Sequence, residues 1–332
     1  MDAPDTHLAN ERPLKDTSIS LVLGSGGARG LAHIGVIRAL ERAGAEIRTV
    51  AGSSMGALVG GIYAAGRLDA YEEWVCGLEQ SDVLGLVDWT FSGGGLIKGR
   101  KIINHLSDMI GEFDIEQLDI DFTAVAVDLD LGREVWLDRG PLFDAIRASI
   151  AIPGVFRPHH YRGRTLVDGG ILNPVPIAPT LRAMNQWTVV TDVNGPSEYP
   201  APLGEAEAER DSDDSSGMMA RVREFMNGWR DSDQNKKQDD ENASRPGLMA
   251  VMMRALDIME AAIARHHMAI FRSDLVITIP KNTCLVHEFH RAREVIDYGQ
   301  QRAEKAITAL NTSRHPDPAR DRQLLEKHHA GR

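Results

Sequence analysis

Apolar runs of strand length alternate with stretches of helical spacing along most of this chain. SISLVLG (18–24) predicts a buried strand that ends in a glycine-rich loop, GSGGARG (24–30). After it, Leu31, Ile34, Val36, Ile37 and Leu40 recur at helical spacing, and Gly44 marks the end of that helix. IRTVAG (47–52) predicts a second strand. SMGALVGGIYAAG (54–66) predicts a helix of small residues, able to lie close on a sheet, and LDAYEEWVCGLE (68–79) continues helically. FSGGGLIKGR (91–100) predicts a loop leading into a helix at KIINHLSDMIG (101–111).

Farther on, TAVAVDL and REVWL predict strands joined by a turn at Asp130–Gly132, and PLFDAIRASIAIPGVF predicts a helix broken at Pro153. RTLVDGG (164–170) predicts a short strand and turn, IAPTLRAM (177–184) a helix, and WTVVTDV (187–193) and DLVITIP (274–280) strands. The stretch 287–310 predicts a long helix. Strand alternating with helix predicts an α/β fold whose mostly parallel sheet carries helices on both faces. No internal repeat is present.

Residues 197–246 break this pattern. Two acidic, serine-rich flanks have the composition of disorder, so they predict an insertion within a domain that resumes at 247–312. Between the flanks, Met218, Met219, Val222, Phe225, Met226 and Trp229 fall on one helical face, with Arg221, Arg223 and Arg230 among them. Such a helix (218–230) either packs on its own domain or makes peripheral contact with a membrane surface. The polar ends 1–16 and 313–332 predict tails flanking a catalytic domain at 17–196.

Composition narrows the function classes. At 332 residues with a formal charge of −11, the chain is poorly suited to bulk attraction by nucleic acid or anionic membrane. Cys76 and Cys284 give neither a disulfide framework nor a zinc quartet, which fits a reducing cytoplasm. No opening apolar stretch resembles a signal peptide, and no run of 18 apolar residues predicts a spanning helix. Oligomeric state leaves no mark on the sequence.

Three glycine-punctuated strand ends carry the candidate chemistry. The first loop lacks the G-x-G-x-x-G spacing, since Arg29 stands where the third glycine belongs, and it has no Lys-Ser/Thr ending for phosphate. It does offer backbone N–H groups at Gly26, Gly27 and Ala28, with Arg29 as a nearby positive charge, and together these suit an oxyanion. In GSSMG (52–56), Ser54 lies between Gly52 and Gly56 on a strand-to-helix turn, the arrangement that exposes a nucleophile. A serine hydroxyl needs a base. The histidines (His33, His159, His160, His266, His267, His287, His290) are poorly placed for that role, whereas Asp168 closes a strand ahead of Gly169 and Gly170.

Taken in order, GSGGARG, GSSMG and DGG resemble the patatin-like phospholipase family, together with LAHIGVIRALE, ASIAIPGVFRP and DGGILNPVP. The resemblance covers about residues 17–193 and, more weakly, 270–310. It implies a patatin-like three-layer α/β/α fold and hydrolysis of a lipid or other acyl ester. It also implies a Ser54–Asp168 dyad that requires no cofactor and no metal. Gly26, Gly27 and Ala28 then supply the oxyanion hole, with Arg29 at the family's basic position and Gly24, Gly30, Gly52, Gly56, Gly169 and Gly170 as motif glycines. Ser25 stands where many members carry another glycine. A Ser-His-Asp esterase using His287 or His290, an acyltransferase using the same acyl-serine, and a non-catalytic regulator on a hydrolase fold are the alternatives.

Overall fold

The computed structural model describes residues 14–79, 81–82, 98–204 and 248–314. The segment 218–230, most of the glycine-rich loop at 91–100 and most of both tails lie outside the described residues. Eight strands form one mixed sheet: β1 (Thr17–Leu23), β2 (Ala45–Ser53), β3 (Asp121–Asp128), β4 (Arg133–Leu137), β5 (His159–Tyr161), β6 (Arg164–Asp168), β7 (Trp187–Gly195) and β8 (Leu275–Pro280). Their order is β5-β6-β3-β2-β1-β7-β8, with β4 paired to β3. The central run from β3 to β8 is parallel, whereas β4, β5 and β6 join by antiparallel pairing. The fold is therefore α/β with a mostly parallel sheet.

Successive strand residues face opposite sides, and β1 makes the two layers visible. Ile19, Leu21 and Leu23 belong to the main apolar cluster, with residues of the helices α1 (Ala32–Arg42), α2 (Met55–Ala64), α5 (Leu142–Ser149) and α7 (Ala292–Arg314). Val22 belongs instead to a second cluster with Val175, Ile177, Val190 and Ala264. Ala264 lies on α6 (Leu248–Ile270), which covers the opposite face. Two shorter helices, α3 (Leu68–Cys76) and α4 (Arg100–Ile110), complete the described elements of this length. None of the described helices is long and apolar enough to cross a membrane.

Two helix predictions need correction. The helix expected to run to Pro153 ends at Ser149, because proline restricts the residue before it and because the Ala151 carbonyl is taken by the Asp168 N–H at 3.0 Å. The stretch IAPTLRAM forms only a 3-10 turn, Ala178–Arg182. Ile177 is buried in the second cluster, but Leu181 and Met184 are exposed, so the stretch has no continuous apolar face to pack and a regular helix is not sustained. The strand β5 was not predicted.

Candidate active site

β2 ends at Ser53, and α2 begins at Met55. Ser54 makes the whole reversal by itself, with φ 54° and ψ −122°, backbone angles that a residue bearing a side chain adopts only under strain. The turn also brings Gly56 so close to β1 that a side chain begun there would meet the Leu23 carbonyl oxygen at 2.1 Å. The glycine loop after β1 and the serine turn after β2 are thus packed on each other.

The Ser54 hydroxyl donates to Asp168 Oδ2 at 2.6 Å, and Asp168 Oδ1 accepts the Gly170 N–H at 2.7 Å. The contact is direct, with no imidazole between the two residues. Asp168 does not arrive as the end of another parallel strand. β6 runs antiparallel to β3, pairing Ala126 with Asp168, while β2 pairs Ser53 with Val125 on the other side of β3. Both residues therefore stop at the same level, one on each side of a shared neighbour.

Burial decides the electrostatics. Asp168 is 3% exposed, and removal from water pushes its carboxyl up to about 7, although the Ser54 and Gly170 hydrogen bonds pull the other way. A carboxylate that keeps proton affinity near neutrality can take a proton from the serine it touches. His33, by contrast, is fully buried, and burial lowers it to about 4. Its neutral ring donates from Nε2 to the Gly24 carbonyl at 2.8 Å, bracing the loop.

The glycine loop is held along its length. Gly24 N–H donates to Thr191 O and Ser25 N–H to Pro174 O, while Arg29 Nε and Nη1 donate to Gly26 O and Lys281 O. The Ala28 N–H donates to Val286 O at 2.9 Å, which removes it from the expected set of free oxyanion donors. The Gly26 and Gly27 N–H groups make no hydrogen bond among the described residues. Arg29 is buried, and its guanidinium ties one carbonyl of the loop to the chain just after β8. No cluster of metal-ligating side chains occurs among the described residues.

Ser149 was missed as a site residue. Fully buried at the end of α5, it accepts the Ser54 N–H at 2.9 Å and donates to Val125 O at 2.6 Å. The ASIA stretch thus holds Ser54 through Ser149 and Asp168 through Ala151. Nothing local in its sequence announces this, because both partners are distant in the chain. Ser149→Ala should strip the strained Ser54 amide of its acceptor, lowering unfolding free energy by about 1–3 kcal/mol and lowering turnover with it. Urea unfolding and steady-state kinetics on the one variant check both effects.

The model of the family described as patatin-like phospholipase matches residues 21–181. This match sets the class: the chain is a hydrolase of lipid esters in the broad sense. An uncharacterised NTE family protein of Mycobacterium tuberculosis is 41% identical over 330 residues, spanning 88% of this chain and 92% of its own. The chain belongs to the NTE family of patatin-like phospholipases. Lysophospholipase NTE1 of Scheffersomyces stipitis is 28% identical over 200 residues, covering 58% of this chain and 13% of that protein. The crystal structure of VipD from Legionella pneumophila superposes with a TM-score of 0.43 at 14% identity, over 90% of this chain and 67% of that one.

Proposed function

We propose that this protein is a serine acyl-ester hydrolase acting on phospholipid or lysophospholipid esters through an acyl-Ser54 intermediate. The observation that carries this reading is the 2.6 Å hydrogen bond from the Ser54 hydroxyl to a buried Asp168 carboxylate. The likeness to a lysophospholipase of Scheffersomyces stipitis favours a single-chain lysolipid as the first substrate to try.

Asp168 Oδ2 takes the Ser54 proton as Oγ bonds to the ester carbonyl carbon, and the carbonyl π pair moves onto oxygen. The Gly26 and Gly27 amides meet that charge, each worth about 3–4 kcal/mol of barrier if aligned. Collapse breaks the bond to the leaving alkoxide, which takes the proton from Asp168 and departs as an alcohol. Water then gives its proton to Asp168 and attacks the acyl carbon. The second collapse expels Ser54 Oγ, which recovers the proton, and a fatty acid leaves.

Release of fatty acid from a lysophosphatidylcholine, measured for the intact protein and for Ser54→Ala, tests the reading. Activity in the first and none in the second is the expected result; equal activity overturns it. Because Asp168 must be ionised to accept the proton, kcat/KM should rise with pH through about 7.

A further inference from the structure

The residue that occupies a glycine position of the family, Ser25, points to a second carboxyl group, that of the half-buried Glu260. Its backbone is fixed on both sides: the N–H donates to Pro174 O at 2.8 Å, and the carbonyl accepts from Asn194 Nδ2 at 2.7 Å. Its hydroxyl donates to Glu260 Oε2 at 3.1 Å, across 235 positions of sequence. Ser25 also abuts the end of the dyad. A side chain begun at Gly170 would meet Ser25 Oγ and Asp168 Oδ1 each at 3.0 Å.

Glu260 belongs to α6, and one face of that helix serves the site. Glu260, Ala264 and His267 follow one another at i, i+4 and i+7. Ala264 packs into the second apolar cluster. His267 Nδ1 donates to Asn173 Oδ1 at 3.1 Å, and the Asn173 N–H donates to Gly169 O at 2.8 Å. The same helix face therefore touches the loop after β1 through Glu260 and the turn after β6 through His267. A carboxyl group enclosed there is costly to keep and contributes nothing to the apolar packing around it.

We propose that Glu260 is a positioning residue for the Ser54–Asp168 chemistry: held on the Ser25 hydroxyl, its carboxyl group fixes the Gly24–Gly30 loop against Gly170 and the Asp168 carboxylate. The inference rests on the acyl-serine reading above. Glu260 faces Asp168 and Asp257, which oppose its ionisation, and Arg29, which favours it; burial is the largest influence and pushes the group up to about 8. Its ionisation thus falls within the range of a pH–rate measurement.

The test compares kcat and KM on a lysophosphatidylcholine for Ser25→Ala, Glu260→Ala, Glu260→Gln and the double variant Ser25→Ala/Glu260→Ala. Each alanine variant should lower kcat about 10-fold with little change in KM, since alignment rather than substrate binding is lost. The double variant should be no worse than the weaker single. Glu260→Gln, which still offers an acceptor to Ser25, should keep most of kcat and should lack the inflection near pH 8 that the parent profile carries. Parent-like kcat in Glu260→Ala, or losses that multiply in the double variant, would overturn the proposal. Should Glu260→Ala not fold, Ser25→Ala and the pH profile of Glu260→Gln decide: an inflection that persists in Glu260→Gln counts against it. Ser54→Ala, run alongside, separates the two failures. Turnover retained in Ser54→Ala removes the acyl-serine reading, whereas turnover lost there and intact in Glu260→Ala removes only the role of Glu260.

Discussion

Asp168→Asn should lower kcat on a lysophospholipid ester by on the order of 10⁴-fold or more. The geometry makes this substitution unusually clean. The asparagine oxygen can still accept the Gly170 N–H, and its NH₂ group can donate to Ser54 Oγ, so both hydrogen bonds of the site survive with donor and acceptor exchanged at the serine. What disappears is the lone pair that takes the proton. A fluorophosphonate probe should therefore label Ser54 in the parent protein and fail to label it in Asp168→Asn, with peptide mass locating the adduct. Labelling at the parent rate in the variant would remove Asp168 from the base's role. A histidine base would then be the reading to pursue.

The second large effect concerns stability and has the opposite sign to the loss of activity. Asp168 in the folded protein titrates near 7, well above its ordinary 3.8, so the folded state holds this proton more tightly than the unfolded chain does. The stability it contributes is fully present below about pH 4 and is lost as pH rises through about 7. At pH 8.5 the parent therefore bears the whole cost of a buried charge, and Asp168→Asn bears none. A shift of this size corresponds to roughly 4 kcal/mol. Urea unfolding should show the variant more stable than the parent at pH 8.5, with the gap closing towards pH 4. Glu260 is raised partly by the Asp168 charge itself and ionises more readily once that charge is gone, so the difference between parent and variant reads Asp168 together with its coupling to Glu260. A gap that does not change with pH would show that burial does not raise Asp168.

These two effects have one cause. The dry environment that would let Asp168 serve as the proposed base near neutral pH is also what makes the folded protein carry an unfavourable charge there, a trade often seen where a site needs a destabilised group. The backbone of Ser54 adds to it. A left-handed φ at a serine costs of order 1–3 kcal/mol and persists only because its surroundings over-determine it. Ser149 is one of those surroundings.

Much of this site is local and could be read from the chain. A buried strand that ends on glycine, followed by a helix of small residues, forces a tight reversal at GSSMG, and the same holds for the end of β1 and for the DGG turn. Side-chain size and backbone freedom act between neighbours, so the sequence alone determines the strand-turn-helix units and marks the two residues proposed to carry the chemistry. Other features are not local. Ser54 lies 95 residues from Ser149 and 114 from Asp168, and Ser25 lies 235 from Glu260. Only strand order brings them together: β3 between β2 and β6, with β6 reversed so that Asp168 stops level with Ser54. Tertiary structure also withdrew the Ala28 amide by giving it to Val286. It shortened the helix before Pro153, where a carbonyl was needed by Asp168. The sequence determined which groups can react, because that depends on chemical type and on the turn each residue sits in. The folded structure decided which of them meet and how dry they are, because contact and burial depend on chain segments that no local pattern connects.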